Sequence, residues 1–146
     1  MKLISVVTGS YNEEENVAEL YDRICAAFTR ELPDYAFEIL FIDNASTDGT
    51  VAVLRRLAVA DPRVKVIINN RNFGHIRSGY HAFLQARGDA VVIMASDLQD
   101  PPELIPAFVR KWEAGYKIVL AQKTASRESP LFYFVRRTYY NLIGRL

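Results

Sequence analysis

Eight consecutive residues, Ser96-Asp97-Leu98-Gln99-Asp100-Pro101-Pro102-Glu103, hold the densest chemistry in this chain. They follow an apolar run from Ala90 to Ala95. Carboxylate and amide oxygens at the end of a buried strand, closed by a Pro pair, make a poor core and a good holder for a hard cation. Oxygen donors suit Mg²⁺ or Mn²⁺, and such ions commonly bridge to phosphates. The stretch therefore points to a metal-assisted site for a diphosphate-bearing substrate, with Asp97 and Gln99 as candidate ligands.

The elements that must position this stretch are legible in the hydrophobic pattern. Short apolar runs at 3–8, 37–43, 64–68, 90–95 and 118–121 read as strands. Helical spacing appears at 13–32, 48–60, 76–87 and 101–114, with Ser46 or Thr47 as a cap for the second helix and Asp100 for the fourth. Strands separated by helices of this size imply right-handed βαβ units, hence an α/β domain built on a mostly parallel sheet flanked by helices. Ligands of such sheets bind beyond the carboxyl ends of the strands. Gly9-Ser10-Tyr11-Asn12-Glu13, Asp43-Asn44-Ala45-Ser46, Asn69 to Gly74 and Ser96 to Gln99 all fall at such ends. Their convergence on one edge weighs more than any single motif.

Each candidate has a bland counterpart. Glu13-Glu14-Glu15 could simply favour a helix dipole, with Glu13 the one nearest the site. Asp43 could accept a base N–H or ribose hydroxyls, or cap its loop. Asp48-Gly49 reads as a turn and helix start. Residues 69–74 could be only a turn, although Arg71 suits a diphosphate. His75 borders that loop, and His81 reads as a helix-face residue. No Gly-x-Gly-x-x-Gly and no Gly-Lys-Ser/Thr loop follows the first strand, which disfavours dinucleotide dehydrogenases and P-loop NTPases.

Bulk properties narrow the classes further. With 146 residues, half of them apolar, the chain can bury a core as a single domain. A net charge of +1 argues against nucleic-acid binding by the whole domain. The one cysteine, Cys25, excludes an internal disulfide and a cysteine zinc cage, and sits in a helical pattern as a small core residue. No signal pattern and no membrane-length apolar run is present, so the expectation is a cytoplasmic domain that touches a membrane surface.

Taken together, Ser5-Val6-Val7 running to Tyr11-Asn12-Glu13-Glu14, Asp43 to Thr50, Arg71-Asn72-Phe73-Gly74 and Ser96 to Glu103 resemble glycosyltransferase family 2, with its Rossmann-like GT-A fold. Asp-Leu-Gln-Asp-Pro-Pro-Glu is similar to the branch that moves a sugar from a nucleotide onto a polyprenyl phosphate. The resemblance implies a nucleotide pocket lined by Gly9, Tyr11, Glu13, Asp43, Arg71 and Ser96, and a metal, Mg²⁺ or Mn²⁺, held by Asp97 and Gln99. It implies as partners a nucleoside-diphosphate sugar and a polyprenyl phosphate at the cytoplasmic face of the membrane. Three positions depart from the family pattern: Ala95 replaces the usual Asp of Asp-x-Asp, Gly9 a Pro, and Asn44 the second acid after strand two.

The implied reaction is an inverting displacement at the anomeric carbon. An anionic phosphate acceptor needs cations to position it and no general base, and Lys123, Arg136 and Arg137 match the family's basic positions around it. A sugar-hydroxyl acceptor would need a base, for which Asp100 is the nearest spare carboxylate. A third reading, from Ala95, is a nucleotide-sugar-binding module without catalysis. The expected division is a nucleotide-sugar unit over 1–123, then a linker and amphipathic helix over 124–146. In that helix Leu131, Val135, Tyr139, Leu142 and Leu146 share one face, and Arg137, Asn141 and Arg145 another, as at an anionic membrane surface. An amphipathic helix packed on the domain, or on another copy in a homo-oligomer, fits the same pattern. The chain reads as the amino-terminal part of a longer enzyme.

Overall fold

A computed structural model describes residues 1–122 and 130–143 of the chain. Four strands, β1 (Leu3–Ser10), β2 (Ala36–Asp43), β3 (Val64–Ile68) and β4 (Ala90–Ala95), form one parallel sheet in the order β3-β2-β1-β4. The central strand β1 pairs with both neighbours, so Val6 faces Ile39 on one side and Val92 on the other. Helices α1 (Val17–Glu31), α2 (Thr50–Ala60), α3 (His75–Gln85), α4 (Ile105–Glu113) and α5 (Pro130–Ile143), with a 3-10 turn (Pro102–Leu104), complete the described elements.

Strand periodicity splits the core into two layers. Ile4, Val6, Ile39 and Phe41 point to one face, where they meet Leu20, Ile24 and Phe28 of α1, Leu54 of α2, and Ile105 and Val109 of α4. Cys25 packs half-buried against the same layer. Val7, Leu40 and Ile42 point to the other face and meet Ala82 of α3. Burial on both faces is why the strands are continuous apolar runs rather than alternating ones.

The structure moves several boundaries. Residues 118–121 form no strand: Ile118 and Leu120 are exposed, and the segment passes beside β4 without a hydrogen-bonded ladder. Apolar composition marks a run that can pair, but pairing also needs backbone register with a neighbour. The first helix starts at Val17, not at Glu13: residues 14–16 form a turn, and the Glu13 and Glu14 N–H groups bond to Thr50 Oγ1 (2.8 Å) and Asp48 Oδ2 (3.2 Å) in the loop before α2. Neither Ser46 nor Thr47 caps α2; Asp48 Oδ1 takes the Thr50 N–H at 3.0 Å instead. The fourth helix is broken into a 3-10 turn, Pro102–Leu104, and α4, whose second residue is Pro106. The residue at the cap position of that turn is Pro101, in place of Asp100.

Candidate active site at the carboxyl edge of the sheet

Periodicity also decides where the strand-end side chains go. Asp43 continues the face of Ile39 and Phe41 and is fully buried. Its carboxylate accepts the Ser46 N–H at 3.0 Å and the Ser46 hydroxyl, so both oxygens close the loop. Ser46 Oγ in turn accepts the Asn12 N–H (2.9 Å), and Asn12 Oδ1 accepts the Thr47 N–H (2.8 Å). The loops after β1 and β2 thus brace each other. Asn12 (φ 56°) and Ala45 (φ 63°) are left-handed there. Gly9 and Tyr11 are exposed at this edge, and Glu13, half-buried, accepts a bond from Asn16 Nδ2 at 2.6 Å.

Asn44 falls on the opposite face, toward α3, and is almost fully buried. Its Oδ1 accepts from Ser78 Oγ (2.8 Å), the Phe73 N–H (2.9 Å) and Asn69 Nδ2 (3.2 Å), while its Nδ2 donates to Asn72 Oδ1 (2.8 Å). This one side chain fixes the loop between β3 and α3. Arg71 rides on that loop, exposed, with its guanidinium 4.6 Å from the Phe73 ring centroid. Because β3 is the far edge strand, Arg71 stands two strands from β1 and three from β4. His75 and His81 are exposed on α3.

At the end of β4, Ser96 is buried and donates to the Gly9 carbonyl at 2.8 Å, tying β4 to β1. Asp97 is half-buried and Gln99 exposed; Asp97 Oδ1 accepts the Gln99 N–H at 3.1 Å around Leu98, which is left-handed (φ 59°). The backbone thereby turns two oxygen-bearing side chains onto one tight corner. Glu103, from the same motif, is used elsewhere: Arg23 of α1 clamps it through two bonds (2.8 and 2.7 Å), and this guanidinium holds its carboxyl below the ordinary range. Asp48 is likewise held low, first by the Thr50 hydroxyl and then by backbone N–H groups.

The donor set decides what kind of cation fits. Among the described residues no group of three or more His, Cys, Asp or Glu side chains is placed so that it could hold a metal ion by itself. Asp43 is consumed by Ser46, which leaves Asp97 with the Gln99 amide oxygen. Such a pair suits an octahedral ion that takes most of its ligands from phosphate oxygens and water, and does not suit an all-protein cage. Ala95, exposed and opposite Gly9 in the β1–β4 ladder, supplies no donor. Of the basic candidates, Arg136 and Arg137 are exposed on α5, with Arg136 6.0 Å from the Tyr133 ring centroid, and Lys123 lies outside the described residues. No described helix is long and apolar enough to cross a membrane.

The sequence reading undervalued Asn12, Asn44, Ser46 and Ser78, which organise the edge. The signal was present for Ser46, which stands three residues after Asp43, the spacing at which a capping carboxylate reaches a backbone N–H. Nothing in the sequence alone joins Asn44 to Ser78.

Comparison with known proteins agrees with this geometry. The chain is 38% identical over 128 residues to an uncharacterised glycosyltransferase, YkcC, of Bacillus subtilis, covering 88% of this chain and 39% of that protein. It is 40% identical over 121 residues to the bactoprenol glucosyl transferase of Shigella phage SfV, covering 83% and 39%. The chain thus spans less than half the length of these relatives. Among solved structures it is similar to the mannosyltransferase PcManGT from Pyrobaculum calidifontis in complex with GDP-Man and Mn²⁺, with a TM-score of 0.63, 28% identity, and 76% and 32% of the two chains covered. The sequence model of glycosyl transferase family 2 matches residues 5–145, and the chain belongs to that family.

Proposed function

We propose that residues 1–123 form the donor-binding unit of a transferase that moves a sugar from a nucleoside diphosphate to a polyprenyl phosphate at the cytoplasmic face of a membrane, with residues 124–146 on the acceptor side. The carrying observation is the corner Asp97-Leu98-Gln99, locked beside β1 by the Ser96 to Gly9 bond. The bactoprenol glucosyl transferase at 40% identity supports the acceptor class, and the neighbour holding GDP-Man and Mn²⁺ supports the donor and metal.

In this reading Gly9, Tyr11 and Glu13 border the nucleotide. Asp43 acts from behind by fixing the Ser46 loop, with any bond to the base or ribose made through remaining lone pairs. Asp97 and Gln99 would hold Mg²⁺ or Mn²⁺, which would supply stabilisation of the negative charge on the departing diphosphate. A phosphate oxygen of the acceptor attacks the anomeric carbon as the bond to the diphosphate oxygen breaks, with inversion. The acceptor is already anionic, so no proton must be removed; Arg136, Arg137 and Lys123 offset its charge.

Calorimetric titration with UDP, GDP and TDP, each with Mn²⁺ and with EDTA, tests the donor side. Metal-dependent binding of one nucleotide is expected. A folded chain that binds none of them defeats the reading, and metal-independent binding defeats the role of Asp97 and Gln99.

A further inference from the structure

Between Asp61 and Asp89 the chain has no acidic residue, yet it carries Arg63, Lys65, Arg71, Arg77 and Arg87. Arg63 is paired with Asp61 and Lys65 with Glu38. Arg77 and Arg87 have no carboxylate partner among the described residues. The centre of this segment is α3, the one helix among the described residues that packs on its face of the sheet. Ser78 and Ala82 face inward. At 100° per residue the outward arc holds Ile76, Tyr80 and Leu84, flanked by Phe83 on one side and by Arg77 and His81 on the other. The apolar members are exposed: Ile76 by 73%, Tyr80 by 63% and Leu84 by 58%. Tyr80 and Phe83 stack at 6.4 Å. The exposed arc continues toward Ile93 on β4.

Scattered apolar residues on a surface need no explanation, but a contiguous patch on one helix does. The charge around the patch selects its occupant. Two acids stand at the margin, Glu38, which is paired with Lys65 and accepts the Arg87 N–H, and Asp89, which accepts the Leu3 N–H. An apolar helix face that carries no acid of its own and is bordered by unpaired arginines complements an anionic lipid surface: side chains enter the acyl boundary while guanidinium groups meet lipid phosphates. We propose that the outer face of α3 is a membrane-contact surface for anionic bilayers, separate from α5. It goes beyond the acceptor chemistry proposed above and does not depend on which donor is used.

Co-sedimentation of the chain with vesicles of phosphatidylglycerol, and with vesicles of phosphatidylcholine alone, tests it. Binding to the anionic vesicles only, weakening as salt rises, is expected. Arg77→Ala with Arg87→Ala should lower vesicle affinity about thirtyfold, roughly fivefold for each cation. Ile76→Ser with Leu84→Ser should lower it about tenfold even at low salt. These side chains are exposed, so both variants should keep the wild-type thermal midpoint and nucleotide titration, which separates failure here from failure of the transferase reading. The proposal is overturned if folded wild-type chain ignores anionic vesicles. It is also overturned if the α3 variants bind unchanged while Arg136→Ala with Arg137→Ala abolishes binding. A wild-type dimer that Ile76→Ser with Leu84→Ser converts to monomer would make the face a contact between copies and overturn it too.

Discussion

The side-chain oxygen of Asn44 accepts the backbone N–H of Phe73 at 2.9 Å, joining the end of β2 to a loop that follows a different strand. Two further donors, Ser78 Oγ and Asn69 Nδ2, converge on the same oxygen. Asn44→Ala strands these groups in a nearly buried site. Each unsatisfied group costs about 1–3 kcal/mol, so a loss of about 3 kcal/mol is expected in denaturant unfolding after partial rehydration. Asn44→Asp keeps the acceptor and loses the donor to Asn72, so it should cost less than half as much. Equal losses would mean that the convergence on Oδ1 contributes little.

Asp97, half-buried at the end of β4, is the candidate metal ligand among the carboxylates there. Asp97→Asn should abolish the Mn²⁺-dependent part of nucleotide affinity and leave binding in EDTA unchanged. Ala95→Asp adds a second carboxylate at an exposed position and should raise Mn²⁺-supported affinity about tenfold, the gain of one favourable charge contact. Titration of both variants against wild type decides this, and unchanged metal dependence in Asp97→Asn would remove it from the site.

Ala45 occupies a left-handed conformation (φ 63°) between Asn44 and Ser46. A β-carbon there costs about 1 kcal/mol relative to glycine. Ala45→Gly should therefore stabilise the chain, offset in part by the freer unfolded state. A chemical denaturation midpoint that moves up supports this; one that moves down shows that the turn is not strained.

Asp61 lies at the other end of the domain. Arg63, with the Tyr21 hydroxyl, holds its carboxyl far below the usual range despite burial. A depressed folded value means that this stabilisation is fully present above about pH 4, the ordinary carboxylate value, and is lost as pH falls toward the folded one. Asp61→Asn should lower stability near neutral pH by about 2 kcal/mol and flatten the acid side of the stability profile. Parallel acid limbs in variant and wild type would assign acid sensitivity to other carboxylates. The same contact pushes the Tyr21 hydroxyl above its ordinary range.

Much of this architecture is written in local pattern. The bounds of β3 and β4 were legible to the residue because short apolar runs end abruptly in polar ones. Helix starts were less so: Glu13 to Asn16 look helical in composition, yet they open on a turn whose Glu13 and Glu14 N–H groups reach Thr50 and Asp48, far along the chain. The same holds for residues 118–121, where apolar character is present and the neighbour's register is not. At the site, residue types named the chemistry. Which carboxylate is open and which is consumed depended on partners: Asp43 and Asp97 look alike in sequence, and only the Ser46 bonds separate them.

The place of β1 in the middle of the sheet has a consequence for synthesis on the ribosome. The first strand to emerge needs partners on both edges, and these arrive far apart in time. β2 can pair once residue 43 is clear of the exit tunnel, but β4 pairs only after residue 95. In between, one edge of β1 with Val6 and Val7 stays open to any extended chain, and the Ser96 hydroxyl that closes on Gly9 comes last. Nascent chains arrested between β3 and β4 should accordingly be the species that chaperones capture.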